Sequence, residues 1–502
     1  MYRFKDVFDS RWSSIISGAA VLAVGISAVR LERFPEWDEA VFLSQSGGLN
    51  GIEVRPSTLA ASREIGTPKL IGLIRLVAET LANTRLLWIA VSIGLLVTGA
   101  VMISRHVRVP ASVLVFGFGS YWLSLTFMAS FYGFFIAATA ALISAGCYLA
   151  LRADGRRQML MGVALGASLS LTMWFRQIEG LLVAASMLGH AVVVSPRVFW
   201  RLRWRGTLAT LVSGLALFVV PWVVDTTMRY GSVGARIRGG SSQDFERGFV
   251  NNVSEYWRVL RGHSAHYANL GAPPRWATGV VAITLITLFA VGLFGVARRR
   301  ASTEQSTSEG VRIGAMLLLW TVAIVLTAFF LFFIGTVRDR YLLIGLLFLS
   351  TVVLVGVWRL IEGGQIDRRL AAAILGCIAA GWVVPNVVIA TAYENGRFEN
   401  GAETQHFAEA LHRLAAGGEC VGVSRFAAPT IQFGSGCLTG SSTSAEDASE
   451  RAADARAPGR LVFVWWPKGD AESLDLDPED WTEISESSEG NGPVVVLWSD
   501  QP

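Results

Sequence analysis

Apolar residues in this chain gather into long uncharged blocks separated by short polar stretches rich in arginine. Neither a surface helix nor a half-buried strand produces such a pattern. The blocks lie at about 13–30, 84–103, 110–128, 132–151, 159–175, 178–195, 207–224, 277–297, 312–335, 341–358 and 370–391. Each is close to the roughly 20 residues a helix needs to cross hydrocarbon, so the pattern predicts about eleven spans. The linkers after the even-numbered blocks carry Arg105 and Arg108, then Arg152, Arg156 and Arg157, then Arg197, Arg201, Arg203 and Arg205, then Arg298, Arg299 and Arg300, then Arg359, Arg368 and Arg369. Charge of this sign stays on the cytoplasmic side. The N-terminus, with Arg3, Lys5 and Arg11, falls on the same side, and an odd number of spans puts everything after Thr391 outside. The first block ends in Ile26-Ser27-Ala28, as a cleaved signal peptide can, but its length and the parity of the later loops favour a retained helix.

Three segments break the pattern, all on the outer side. The loop 31–83 contains a short apolar stretch, Leu70 to Ala82, interrupted by Arg75 and Glu79, which reads as a helix in the interface plane. In the loop 225–276, Arg229, Arg236, Arg238, Arg247, Arg258, Arg261 and Arg275 outnumber Asp225, Asp244, Glu246 and Glu255, against the topological bias. In the tail, an amphipathic helix from His406 to Ala415 precedes strand-like runs at Cys420–Phe426, Leu461–Trp466 and Val494–Trp498. The stretch from Ser441 to Pro458, rich in Ser, Ala and charge, reads as a flexible loop. The expected fold is therefore an all-α polytopic membrane domain of about 11 transmembrane helices over residues 1–392, with its N-terminus cytoplasmic. A small extracytoplasmic α/β domain over 393–502 follows it.

Composition narrows the function classes. Of 502 residues, 52% are hydrophobic and 16% charged, which excludes an ordinary soluble protein. The net charge of +4 is dispersed between apolar blocks, so nucleic acid is not an expected partner. Four cysteines do not make a disulfide framework, but Cys420 and Cys437 both fall in the outer domain, where an oxidising compartment lets them pair. Cys147 and Cys377 sit in spans and read as small packing residues. No Gly-rich phosphate loop or dinucleotide fingerprint occurs on a soluble segment, which disfavours a nucleotide-driven pump.

Few residues carry chemistry. Phe34-Pro35-Glu36-Trp37-Asp38-Glu39 follows the first span, and adjacent carboxylates at a membrane surface repel each other unless something cationic uses them. Either one of them is a general base or this is a solvated acidic loop start. Lys69, in Ile65-Gly66-Thr67-Pro68-Lys69-Leu70, either meets an anionic group or anchors a helix at the interface. Arg176 and Glu179, three apart, can pair on one helical face at an outer end. Arg338, Arg340 and Tyr341 occupy a very short outer connection where the topological rule expects no arginine, and arginine suits bidentate phosphate binding. The competing reading there is an Arg338–Asp339–Arg340 cluster that merely fixes the hairpin. His263 and His266 have the H-x-x-H spacing, but no third ligand stands at a suitable distance, so no metal is assigned.

The order of these features resembles the GT-C superfamily of polytopic glycosyltransferases, in particular the branch of protein O-mannosyltransferases and lipid A aminoarabinose transferases. Asp38-Glu39 stands where that branch has an acidic motif after the first span, and Thr67-Pro68-Lys69-Leu70 looks like its proline-containing interfacial helix. Gly162-Val163-Ala164-Leu165-Gly166 through Arg176-Gln177 looks like its glycine-spaced span ending in a basic residue, and Arg340-Tyr341-Leu342-Leu343 like its late Arg-Tyr-Leu-Leu motif. Two positions differ: Ile344 replaces a common proline, and the turn at Ser130-Phe131-Tyr132 lacks an acid found in many relatives.

The resemblance implies transfer of a sugar from a polyprenyl-phosphate donor to an extracytoplasmic glycan, lipid or protein acceptor, in a protein embedded in the bilayer. Asp38 would take the acceptor's proton, Glu39 would orient the acceptor or a divalent cation, and Lys69, Arg176, Arg338 and Arg340 would hold the leaving phosphate, with Tyr341 beside them. A transporter or flippase for a lipid-linked anion is a second reading, and a lipid-linked glycan polymerase or ligase a third. Transport fits less well because charges within the spans are sparse and no inverted repeat is apparent.

Overall fold

A computed structural model describes residues 11–35, 37–46, 66–151, 156–194, 196–236, 249–264, 272–298, 307–335, 337–362, 368–415, 418–424, 428–442, 444–457, 460–467, 474–476, 481–483 and 493–499. All eleven apolar blocks fall on helices. Six of these helices are individually long and apolar enough to cross a membrane: Leu81–Val107, Arg156–Phe175, Trp204–Met228, Arg275–Val296, Ile313–Phe332 and Asp339–Leu360. The apolar helices Trp12–Ala28, Phe134–Ala150 and Gln177–Val193 are shorter. Leu208, Leu211, Val212, Leu215 and Val220 are all exposed on one long helix, and lipid is the solvent in which that face carries no penalty.

The chain divides into two compact units. One contains the described residues of Met1–Leu31, Pro56–Thr67 and Val77–Gly396, and the other those of Glu32–Arg55, Pro68–Leu76 and Arg397–Pro502. In the first unit, small residues allow close helix crossings. A Cβ on Gly356 would run into the backbone of Gly292, so the helices Arg275–Arg298 and Leu343–Glu362 meet backbone to backbone.

The third apolar block is broken. Ala111–Gly119 and Trp122–Met128 form a pair bent by 81°, which makes it a seventh span if the pair crosses as one. The backbone groups released by the break are taken up by side chains. Asn386 Oδ1 accepts from the Trp122 amide at 3.0 Å, and Trp382 Nε1 donates to the Gly117 carbonyl at 3.1 Å. A break in an apolar helix is tolerated where its backbone groups find such partners.

In the second unit, a five-stranded sheet has the order β2-β1-β3-β5-β4, with β1 Glu419–Ser424, β2 Leu438–Ser441, β3 Arg460–Pro467, β4 Thr482–Glu483 and β5 Pro493–Ser499. β1 pairs in parallel with β2 and β3, while β5 runs antiparallel to β3 and β4. The period-two alternation of β3 sends Phe463 and Trp465 to a core with Leu411, Ile431 and Cys437, and Val462, Val464 and Trp466 to one with Val423, Ala448, Ala452 and Trp481. Helix Trp37–Gln45 packs against helix Ala428–Ser435 within this unit. A disulfide joins Cys420 to Cys437 across 17 residues. Closing a loop of that size contributes about 3 kcal/mol, so reduction with a phosphine should lower the unfolding free energy by about that amount, measured by denaturant titration with and without reductant. An unchanged midpoint would show that the bridge constrains nothing.

Several sequence expectations change. The segment Ser441 to Pro458 contains a helix, Ala445–Asp454: Ser444 caps it by accepting from the Asp447 amide at 3.2 Å, and Ala448 and Ala452 are buried against the sheet. The short helix in the loop 31–83 is Gly66–Arg75 rather than Leu70 to Ala82, and the next helix starts at Leu81. The helix expected at His406 is the end of Arg368–Ala415, which passes through Pro385 without a stop. The helix ahead of the loop 225–276 continues to Tyr230 before Gly231 ends it in a left-handed conformation.

Candidate functional site

In the first unit, the turn between the third and fourth apolar blocks places Tyr132 and Phe134 at the end of the helix Phe134–Ala150. Gly133 between them is required. A Cβ there would lie 2.5 Å from Phe175 and 2.8 Å from the Thr67 hydroxyl. Two arginines from distant parts of the chain lie over these rings. The Arg176 guanidinium carbon is 3.8 Å from the Phe134 centroid and 5.6 Å from that of Tyr341, and the Arg340 carbon is 4.8 Å from Tyr132 and 5.5 Å from Phe134. Tyr341 stacks on Phe330 at 5.0 Å and packs against Phe134 at 5.8 Å.

Each arginine is positioned locally. Arg176 occupies the break between the helices Arg156–Phe175 and Gln177–Val194, where its amide donates to Thr172 O at 2.7 Å. Its Nε donates to Glu179 Oε1 at 2.7 Å and a terminal nitrogen reaches the same oxygen at 2.6 Å, so the i, i+3 pair does form. Glu179 is buried while Arg176 stays 20% exposed, which leaves part of the guanidinium facing outward. Arg340 and Tyr341 lie on the 3-10 turn Asp339–Leu342 and Arg338 immediately precedes it, accepting at its carbonyl from the Tyr341 amide at 3.1 Å. Two partly accessible cations on an aromatic floor can bind an anion without first shedding a full hydration shell.

The second unit contains the other candidates. Asp38 and Glu39 lie in the first turn of the helix Trp37–Gln45, while Glu36 and the side chains of Trp37 and Asp38 lie outside the described residues. Glu39 is fully buried and ion-paired to equally buried Arg33, with contacts of 2.9 Å and 3.0 Å to its two oxygens. A two-point pair of this kind fixes the turn that carries Asp38. Lys69 is exposed on the helix Gly66–Arg75.

The sequence did not point to Tyr132 and Phe134, although the cluster Phe131-Tyr132-Gly133-Phe134-Phe135 at the start of an apolar block was a usable signal. In the loop 225–276, His263 is described and His266 is not. Burial, then Arg261 and Arg258, push the His263 pKa below its ordinary value. No group of three or more metal-ligating side chains occurs among the described residues.

Solved structures resemble this one along nearly its whole length. ArnT from Cupriavidus metallidurans in the apo state aligns with a TM-score of 0.64 and 13% identity, covering 96% of this chain and 97% of that one. The chain shares the fold of this ArnT. The same ArnT bound to undecaprenyl phosphate aligns at 0.64 with 14% identity, covering 97% of this chain and 98% of that one. The mycobacterial arabinofuranosyltransferase AftD aligns at 0.57 with 14% identity, covering 97% of this chain but 40% of its own. No protein-family model and no curated protein sequence matches the chain.

Proposed function

We propose that this protein is a multi-pass membrane glycosyltransferase that takes a sugar from a polyprenyl-phosphate donor and places it on an acceptor hydroxyl outside the cytoplasm. The observation that carries this reading is the pair Arg176 and Arg340 on the Phe134 and Tyr132 rings, in a fold shared with an ArnT bound to undecaprenyl phosphate. The eleven-span topology, with the second unit and the site outside, belongs to the same proposal.

In the reaction, the acceptor oxygen forms a bond to the anomeric carbon while the bond from that carbon to the phosphate oxygen breaks. The acceptor's proton goes to Asp38. The donor's phosphodiester, with one negative charge, leaves as a monoester that gains a second, and Arg176 and Arg340 stabilise that growing charge, with Arg338 and Lys69 adding to the cationic field. Glu39 serves through its pair with Arg33, keeping the Asp38 turn in place.

Native mass spectrometry with undecaprenyl phosphate and with the corresponding alcohol tests the reading. Binding of the phosphate and not of the alcohol is the expected result. Equal retention of both would mean that only the isoprenoid tail is recognised, and the lipid-phosphate reading would fall.

A further inference from the structure

The second outer loop is joined at one point to the helix end that precedes the turn bearing Arg338, Arg340 and Tyr341, and at another to that turn itself. At the first, the Val250 and Asn252 amides donate to Phe332 O at 3.0 Å and Leu331 O at 3.1 Å, and Asn252 Nδ2 donates to Ile334 O at 2.7 Å. At the second, the Ser264 hydroxyl donates to Asp339 Oδ2. Between them the helix Val253–Leu260 buries Tyr256 in a cluster with Phe330, Ile334 and Leu342, against which Val337 and Tyr341 pack.

Asp339 is 1% exposed, and a carboxylate at that depth is stable only with polar partners fixed around it. Ser264 is itself fixed. Its amide donates to the Tyr393 hydroxyl at 2.7 Å, that hydroxyl donates to Gly262 O at 2.9 Å, and the Tyr121 hydroxyl donates to Leu260 O at 2.6 Å. Gly262, at a φ of 103°, makes the reversal that brings Ser264 round to Asp339. The turn this carboxylate belongs to is four residues of 3-10 helix with no side-chain cap, a geometry with weak hydrogen bonds of its own. Asp339 and Arg340 share a peptide bond, so a rotation of Asp339 away from Ser264 swings Arg340 off the aromatic floor.

We propose that Ser264 and Asp339 are positioning residues for the lipid phosphate. Their hydrogen bond holds the turn Asp339–Leu342 so that Arg340 and Tyr341 stay against Phe134, which makes the second outer loop part of donor recognition although it supplies no phosphate ligand through these two residues. This inference rests on the assignment of Arg340 to the phosphate.

The test measures undecaprenyl phosphate affinity by native mass spectrometry on the full chain, with thermal midpoints recorded in parallel. Ser264→Ala is expected to weaken binding about tenfold, the loss typical of a hydrogen bond to a charged group, and Ser264→Thr, which keeps a hydroxyl, to recover most of it. A folded Ser264→Ala protein that binds within about twofold of wild type, against that expected tenfold loss, overturns the proposal, as does a lowered midpoint with unchanged affinity of the folded fraction. If Ser264→Ala does not fold, Tyr393→Phe removes the hydroxyl that fixes the same loop, and unchanged affinity in that variant overturns the proposal equally. Failure of the wild type to bind undecaprenyl phosphate strikes the phosphate assignment itself, and this inference falls with it.

Discussion

Asp38→Asn is expected to reduce sugar transfer by about 10²- to 10⁴-fold while leaving donor binding intact, the loss that accompanies removal of a positioned general base. An alcohol is a poor nucleophile until its proton departs, and the asparagine amide cannot accept that proton. The donor phosphate is assigned to Arg176 and Arg340, so binding of undecaprenyl phosphate should not change. Asn has nearly the volume of Asp and the same helix geometry, and the Arg33–Glu39 pair that fixes the turn is untouched, so the protein should fold normally. The measurement is initial transfer rate beside donor affinity in one preparation. Near-normal transfer would remove Asp38 from the role of base. Loss of transfer and of donor binding together would assign it to the donor instead. A transporter or a glycan polymerase has no need of this carboxylate, and a mild effect would favour either.

Arg340→Ala should produce the second large effect, on the opposite side of the kinetic split. Its guanidinium, held at 4.8 Å from the Tyr132 centroid and 5.5 Å from that of Phe134, is assigned to the phosphate in both ground state and transition state. A charge-assisted contact to an oxyanion in a water-poor site is worth about 3 kcal/mol, so kcat/KM should fall about 10²- to 10³-fold. Part of that loss should appear directly as weaker undecaprenyl phosphate binding. Arg340→Lys restores charge without the planar fork and should recover only part of it, because stacking on a ring and two-point phosphate contact both depend on that plane. Affinity within twofold of wild type for Arg340→Ala would take the phosphate away from this cluster.

How much of this was legible in the sequence depends on the kind of interaction. The apolar blocks were readable because about 20 uncharged apolar residues leave the backbone little choice but helix. The strands Arg460–Pro467 and Pro493–Ser499 were visible as dense runs of Val and Trp. The helix Ala445–Asp454 was missed because Ala, Ser and alternating charge compose both linkers and surface helices. The cap Ser444 with Asp447 three residues on, and Ala448 with Ala452 four apart, distinguish the two. Continuation of Arg368–Ala415 through Pro385 was not legible, since proline normally ends such a run. At the site, the Arg176–Glu179 pair followed from i, i+3 spacing. The approach of Arg176 and Arg340 to one ring, Phe134, depends on segments more than 160 residues apart in sequence, which no local pattern reports.

The bend in the third apolar block has a consequence for the order in which this protein's contacts form. The amide released at Trp122 and the carbonyl released at Gly117 are satisfied by Asn386 and Trp382, which leave the ribosome more than 260 residues later. Synthesis at about 5–20 residues per second puts on the order of tens of seconds between the two events. During that interval the bend either stays in contact with water or lipid headgroups or is held by the insertion machinery, because unsatisfied backbone groups are costly in hydrocarbon. The break is therefore a late-closing joint of biogenesis, and the last apolar helix is the element that holds an early one in its bent conformation.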